Sequence, residues 1–215
     1  MKRGAIFDMD GLLLDTERLY QESWAEMARA FGQTPDPAFP AAVSGTSGEG
    51  MREVIRRYYP AVDSYAFQAG CIARVDRILD EQGPPVKLGA GELLEYLGAR
   101  GVKLAVASSS GRERILSNLR AARLDRLFDA VVSGQQVERG KPEPDIFLLA
   151  AREIGCPPED CYVFEDSVNG VQAGMAAKCM TVMVPDLVPL PEGLAVSRVC
   201  ASLLEAKALL EAGQL

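Results

Sequence analysis

The chain has 215 residues, of which 48% are hydrophobic and 25% are charged, proportions that are ordinary for a soluble globular protein. Its 23 basic and 30 acidic residues give a net charge of −7, which argues against electrostatic binding to nucleic acid or to an anionic membrane surface. Histidine is absent, which excludes a Ser-His-Asp triad, the commonest general base and the commonest zinc ligand.

Residues 3–8 predict a short buried strand that ends in acidic residues. A helical spacing follows, in which Tyr20, Trp24, Met27 and Phe31 recur four, three and four residues apart and predict one buried helix face. Because aspartates interrupt the first apolar run, it predicts neither a signal peptide nor a membrane span. The first element is therefore expected to belong to the folded core.

Further helical patterns cover residues 49–59 and 64–82, and a Gly- and Pro-containing linker follows at 83–91. From there on, predicted strands alternate with predicted helices. The strands are expected at residues 102–108, 129–134, 161–166 and 179–184. Strands joined by crossover helices build a parallel sheet with helices on both faces.

This order predicts an α/β fold with a Rossmann-like core and an inserted all-α unit. The core is expected to comprise residues 1–15 and 86–215, and residues 16–85 are expected to form a small helical cap domain. The five cysteines include no C-x-x-C pair, which predicts free thiols in a reducing compartment. We therefore expect a cytoplasmic protein, and a monomer.

Polar residues follow four of the predicted strands, at the point where each strand ends. Because the carboxyl ends of parallel strands face one crevice, these side chains are expected to meet there. They are Asp8, Asp10, Ser108, Ser109, Ser110, Lys141, Glu165 and Asp166. Each has an ordinary structural alternative, since acids and serines also cap helices or form turns and a single lysine is usually solvated. Their combination favours a phosphoryl-transfer site.

Several carboxylates in one crevice provide the hard oxygen ligands that Mg²⁺ prefers, and a divalent cation would offset their mutual repulsion. Asp8 could attack phosphorus and form an aspartyl phosphate. Asp10 could protonate the leaving oxygen and later activate water. Lys141 would oppose the negative charge of the transferred phosphoryl group.

Four segments together resemble the motifs of the haloacid dehalogenase-like hydrolase superfamily, in the helical-cap branch that contains β-phosphoglucomutase-like phosphatases. They are FDMDGLLLDTE, VASSS, GKPEPDIF and VFEDSVNGVQAG, and the resemblance extends over nearly the whole chain. It implies Asp8 as the nucleophile and Asp10 as the general acid and base. It also implies that Ser108 and Lys141 hold phosphate, and we place Ser109 with them.

The same resemblance implies a Mg²⁺ site formed by Asp8, the backbone carbonyl of Asp10, and Asp166, with Glu165 supporting it. For the cap it implies that the glycine-rich loop at residues 43–50 contacts the substrate. The substrate-binding candidates in and beyond the cap are Thr16, Tyr20, Gly45, Thr46, Arg52 and Arg112. Thr16 and the 83–91 segment are the two crossings between cap and core, and are expected to act as a hinge.

Three functions fit this sequence. Hydrolysis of a small phosphorylated metabolite, such as a sugar phosphate, is favoured. A β-phosphoglucomutase-type isomerase is the alternative, but Tyr20 and Gly48 stand where mutases of this branch carry a histidine and an arginine. A non-catalytic domain that binds a phosphorylated ligand ranks last, because every residue of the candidate site is retained.

Overall fold

The computed structural model describes residues 1–43, 46, 48–186 and 189–215. The chain folds into two compact units. Met1–Asp15 and Pro84–Leu215 form one unit, and Thr16–Gly83 forms the other. The sequence predicted this second boundary after residue 85, and the structure places it between Gly83 and Pro84.

The first unit contains a sheet of six parallel strands in the order β3-β2-β1-β4-β5-β6, counted over the described ranges. The strands are β1 (Gly4–Phe7), β2 (Lys103–Ser108), β3 (Ala130–Ser133), β4 (Cys161–Glu165), β5 (Met180–Met183) and β6 (Arg198–Val199). Its helices are α5 (Ala90–Gly98), α6 (Arg112–Ala121), α7 (Asp145–Glu153), α8 (Val168–Ala176) and α9 (Leu203–Glu211). The predicted α/β fold with a parallel sheet is confirmed.

The sheet is buried on both faces because alternate residues of each central strand enter different apolar clusters. Phe7 and Phe164 lie in the cluster that includes residues of α5, α6 and α9, and their rings stack with centroids 4.8 Å apart. Ile6 and Val163 lie in the opposite cluster, with residues of α7 and α8. The nearly continuous apolar runs of the strands are typical of a sheet covered on both sides.

The second unit is helical. Its helices are α1 (Thr16–Ala30), α2 (Phe39–Val43), α3 (Gly48–Tyr58) and α4 (Ser64–Gln82). Asp63 caps α4, and its Oδ1 accepts from the backbone N–H groups of Tyr65 and Ala66 at 2.9 and 3.2 Å. Phe39, Phe67 and neighbouring aromatic rings form the centre of this unit's own core.

The face predicted for α1 is partly wrong. Trp24 is buried as expected, but Phe31 lies beyond the end of the helix and is 36% exposed. The stripe that is buried instead includes Ser23 and Ala28. Small residues allow α1 and α4 to approach closely, and the Cys71 thiol on α4 donates to the carbonyl oxygen of Ser23 at 3.7 Å.

Two elements were not predicted, α2 and β6. Proline disfavours a helix interior, but Pro40 lies at the second position of α2, where no intrahelical N–H bond is needed. The edge strand β6 has only two residues, too few to produce a periodic pattern. Among the helices of the described segments, none is both long enough and apolar enough to cross a membrane.

Candidate active site

The two central strands of the sheet place Asp8 beside Glu165. Phe7 of β1 is level with Phe164 of β4, and the N–H of Asp8 donates to the carbonyl of Phe164 at 3.0 Å. Strand order reverses between β1 and β4, which is the point where open parallel sheets bind ligands. Asp8 follows Phe7 and Glu165 follows Phe164, and the two phenylalanines share one face of the sheet. Because successive side chains of a strand point to opposite faces, both carboxyl groups are directed towards the other face.

Lys141 lies between these two carboxylates. Its Nζ donates to Asp8 Oδ1 at 2.5 Å and to Glu165 Oε1 at 2.6 Å. The three side chains are only 8%, 9% and 1% exposed for Lys141, Asp8 and Glu165. The ammonium also lies 5.0 Å from the centre of the Phe147 ring on α7. Burial makes these contacts strong, since little water screens them.

The two carboxylates and one ammonium group of this buried site carry a net negative charge when all three are ionised. Burial raises the pKa of Asp8 to about 7; Lys141 opposes this shift, while Glu165 and Asp10 add to it. Burial also works against the charge of Lys141, but Asp8 and Glu165 outweigh it, so the pKa of Lys141 is raised. One cation between two buried carboxylates thus stays charged, and Asp8 is the group that takes up a proton.

This raised pKa makes the stability of the metal-free protein depend on pH. Asp8 ionises near 3.8 when unfolded and near 7 when folded. The stabilisation of the folded state that comes from protonated Asp8 is therefore fully present below the pKa of the unfolded state. It is lost as pH rises through the pKa of the folded state. We expect the free energy of unfolding of the wild type to fall, relative to Asp8→Asn, by on the order of 2 kcal/mol between about pH 5 and about pH 8. Urea unfolding of both proteins in chelator measures this difference, and parallel pH curves would contradict it.

Asp10 is held by two serines, Ser108 at the end of β2 and Ser110 in the loop that follows. Its Oδ2 accepts from Ser108 Oγ at 3.2 Å and from Ser110 Oγ at 2.9 Å. The Ser108 hydroxyl oxygen also accepts from the N–H of Ser110 at 3.1 Å. The loop after β2 therefore orients the carboxyl group of Asp10. The sequence predicted Ser108 as a phosphate-holding residue, and that role stays a prediction.

Ser110 is a site residue that the sequence analysis did not assign to a role. We expect Ser110→Ala to lower kcat about tenfold, because Asp10 loses the shorter of its two serine hydrogen bonds, worth about 1 kcal/mol. Steady-state kinetics measure this effect, with Ser117→Ala, at an exposed position of α6, as the matched control. Equal losses in the two variants would contradict a specific role of Ser110 in orienting Asp10.

Three carboxylates are close enough together to hold a metal ion. One oxygen each of Asp8, Glu165 and Asp166 lies within 4.8 Å of the others. Both oxygens of Glu165 are already engaged, Oε1 by Lys141 and Oε2 by the N–H and hydroxyl of Ser167 at 2.8 and 2.9 Å. Hard oxygen donors and excess negative charge fit a divalent cation such as Mg²⁺.

Comparison with known proteins agrees with this geometry. The haloacid dehalogenase-like hydrolase family model matches residues 5–184. The "Probable pseudouridine-5'-phosphatase" of Drosophila melanogaster is 38% identical over 190 residues, which cover 84% of this chain and 80% of that protein. The chain belongs to the haloacid dehalogenase-like hydrolase family.

Two further relatives extend over almost the entire chain of this hydrolase. The phosphorylated carbohydrates phosphatase of Thermotoga maritima is 32% identical over 212 residues, covering 97% of this chain and 90% of that one. The crystal structure of a family hydrolase from Deinococcus radiodurans, with bound phosphate and sodium, superposes with a TM-score of 0.81 at 31% identity. It covers 100% of this chain and 97% of that chain. The protein is an enzyme, a phosphoric monoester hydrolase of this family.

In the hydrolase, ion pairs join Lys141 to Asp8 and Glu165, and a hydrogen bond joins Ser108 to Asp10. The structure does not bring Arg112 into this network. Arg112 lies at the first position of α6, is exposed, and donates from its guanidinium to the carbonyl oxygen of Val131 at 2.5 Å. A contact between Arg112 and substrate stays a prediction.

The other substrate-binding candidates of the hydrolase lie in its helical unit. Thr16 is buried at the start of α1, and the Tyr20 ring packs 6.0 Å from that of Trp24. The hydroxyl of Thr46 donates to the carbonyl of Val43 at 2.6 Å. Gly45 lies outside the described residues. Contacts of these residues with substrate stay predictions.

Arg52 is paired within the helical unit. Its guanidinium donates to Glu49 Oε2 at 2.7 Å and to Gln68 Oε1 at 2.8 Å, and lies 4.4 Å above the ring of Tyr65. A contact between Arg52 and an anionic substrate stays a prediction.

Proposed function

We propose that this protein is a Mg²⁺-dependent phosphatase of a small phosphorylated metabolite, of the sugar phosphate class, and that it acts through an aspartyl phosphate. One observation carries the proposal. Asp8 lies at the switch point of the sheet, with Lys141 bound to one of its oxygens. Asp10, two residues further along the chain, accepts hydrogen bonds from Ser108 and Ser110. This arrangement combines a carboxylate nucleophile, a cation and a second carboxyl group that can transfer protons.

In the first step, a carboxylate oxygen of Asp8 forms a bond to phosphorus, and the bond from phosphorus to the substrate oxygen breaks. Asp10 gives its proton to the departing oxygen, so the product leaves as an alcohol. The Ser108 and Ser110 hydroxyls hold the carboxyl group of Asp10 for this transfer. Backbone N–H groups at the start of α6 would bind the phosphoryl oxygens.

In the second step, water attacks phosphorus and gives a proton to Asp10. The bond between Asp8 and phosphorus breaks, which regenerates the carboxylate and releases inorganic phosphate. Lys141 contributes electrostatically to both steps, because its charge opposes the charge on the phosphoryl oxygens. Glu165 acts as the positioning residue that keeps the ammonium group beside Asp8.

Asp8 and Asp166 are the side chains that would hold Mg²⁺, with the backbone carbonyl of Asp10. Glu165 would support the site rather than bind the metal, since Lys141 and Ser167 occupy its two oxygens. When bound, the metal would neutralise charge on the phosphoryl group.

The names of two relatives support the proposed substrate class. The Thermotoga relative is a phosphatase of phosphorylated carbohydrates, and the Drosophila relative is described as a phosphatase of a phosphorylated nucleoside. Both names describe a phosphorylated sugar unit. We further propose a cytoplasmic location, which the five free cysteines, all buried, support.

A panel of sugar phosphates and nucleoside monophosphates tests the proposal by release of inorganic phosphate. We expect release with Mg²⁺, loss of release with chelator, and a preference for a sugar phosphate. Release that is unaffected by chelator would contradict the metal requirement. Conversion of β-glucose 1-phosphate into glucose 6-phosphate without free phosphate would instead indicate the mutase alternative.

A further inference from the structure

A second concave site lies at the opposite edge of the sheet. The amino-edge cleft, as we call it, has a volume of about 550 Å³ and is lined by residues that precede or begin β1 and β2, together with residues 154–156 after α7. Gly4 of β1 pairs with Lys103 of β2, so the amino ends of the two strands meet here. Four residues separate Gly4 from Asp8, which places the cleft roughly 13 Å from the catalytic carboxylate along the strand.

The side chains around the amino-edge cleft are strongly basic. Its charged lining residues are Lys2, Arg3, Arg100 and Lys103, and no acidic residue lines it within the described ranges. A chain with a net charge of −7 has no compositional reason to gather four cations in one concavity. Such a concentration of one sign in a cleft raises the local concentration of the opposite ion.

Nearby carboxylates balance only part of this charge. Lys103 pairs with Asp129 at 2.8 Å, and Arg3 with Asp160 at the longer distance of 3.8 Å. Lys2 and Arg100 have only neutral partners among the residues that the structure describes. Lys2 donates to a backbone carbonyl at 2.7 Å, and Arg100 to the carbonyl of its own helix at 3.2 Å. Two cations are thus left for an external anion.

Arg100 is held in place for such a ligand. Its guanidinium lies 3.7 Å above the ring of Tyr96, and the hydrogen bond to the Tyr96 carbonyl uses one nitrogen only. A stacked guanidinium keeps the remaining donors of its planar fork available, and that fork matches phosphate oxygens. Stacking also lowers the entropy that binding would cost.

The cleft is large enough for a small metabolite. Its volume falls within the range of about 300–1,000 Å³ that is usual for small-molecule pockets. Gly101 and Gly155 both line it, and a Cβ added to either would meet nothing within 4 Å. Val102 and Ile154 give it a partly apolar wall.

We propose that the amino-edge cleft binds a small, multiply phosphorylated metabolite at a site separate from the catalytic carboxylates. Several phosphate groups are expected because the cations come from two separate segments, the residues before β1 and the turn from α5 into β2, and a single phosphate would contact only some of them. This proposal does not depend on the substrate or mechanism of the catalytic site.

Calorimetric titration of the full chain with inorganic tripolyphosphate, in chelator, tests the proposal. We expect one binding event that weakens at least about tenfold in the double variant Lys2→Gln/Arg100→Gln. The matched control Arg57→Gln/Arg120→Gln removes the same charge at exposed sites elsewhere and is expected to bind like the wild type. Lys103→Gln, at another exposed position of the cleft, is expected to weaken binding as well.

Three outcomes would overturn the proposal. They are the absence of binding to the wild type, equal weakening in the two double variants, and full binding by the Lys2→Gln/Arg100→Gln variant. Full binding by that variant would place the anion outside the amino-edge cleft. Matching urea-unfolding curves of the wild type and both double variants ensure that a loss of binding does not reflect unfolding.

Discussion

Asp8→Asn is expected to lower the rate of phosphate release by at least about 10³-fold while leaving the protein folded. An amide is a far weaker nucleophile than a carboxylate. Within the described residues, the other carboxylate bound to Lys141 is Glu165, and it cannot readily replace Asp8 because Ser167 also holds it. The change keeps the size of the side chain. It also removes one of two buried negative charges, so the metal-free variant should unfold at a higher temperature than the wild type above about pH 7.

The measurement is phosphate release with saturating Mg²⁺ and substrate, combined with thermal unfolding in chelator. Asp15→Asn is a suitable control, because it makes the same chemical change in the first unit at a carboxylate that pairs with Lys87 at 3.2 Å. It is expected to retain most of the activity. An Asp8→Asn protein that is as active as the control would rule out Asp8 as the nucleophile.

Gly170→Ala is expected to impair both stability and catalysis. Gly170 lies in the first turn of α8, and a Cβ at this position would overlap the carboxyl group of Glu165. Glu165 would have to move, which would separate it from Lys141 and from Ser167. Leaving these buried polar groups without partners costs about 2–4 kcal/mol.

Displacement of Glu165 also removes the contact that holds Lys141 beside Asp8. We expect kcat to fall by about 10²-fold, comparable to the loss of one preorganised electrostatic contact. Gly91→Ala is the matched control, since Gly91 also lies at the start of a helix and its added Cβ would meet nothing within 4 Å. That change should be neutral or stabilising by up to about 1 kcal/mol. A fully active and stable Gly170→Ala protein would contradict the role of Glu165.

Much of the fold could be predicted because each central strand carries a local signal. An uninterrupted apolar run that ends in a polar residue marked β1, β2 and β4, and the observed strands lie within the predicted ranges. The buried face of α1 could not be predicted from large residues alone. The helix packs through Ser23 and Ala28, whose burial depends on the close approach of α4, a tertiary effect that no spacing shows.

The candidate site was predictable as a set of residues but not as a network. Motif spacing brought out Asp8, Lys141 and Glu165, yet it could not show that one ammonium group bridges both carboxylates. Ser110 was visible in the run of three serines, but its bond to Asp10 depends on the path of the loop after β2. Gly170 gave no signal, because the need for a missing Cβ becomes apparent only when the position of Glu165 is known.

Reduction of the working enzyme with borohydride tests the central claim most directly. Borohydride converts an aspartyl phosphate into homoserine and releases the phosphate, while free carboxylates do not react. Mass spectrometry of the peptide that contains residue 8, after quenching during turnover with Mg²⁺ and the best substrate, should show homoserine in place of Asp8. Homoserine at a different position would contradict Asp8 as the nucleophile. An initial burst of product release, which indicates a covalent intermediate, would also contradict it if residue 8 remained unchanged.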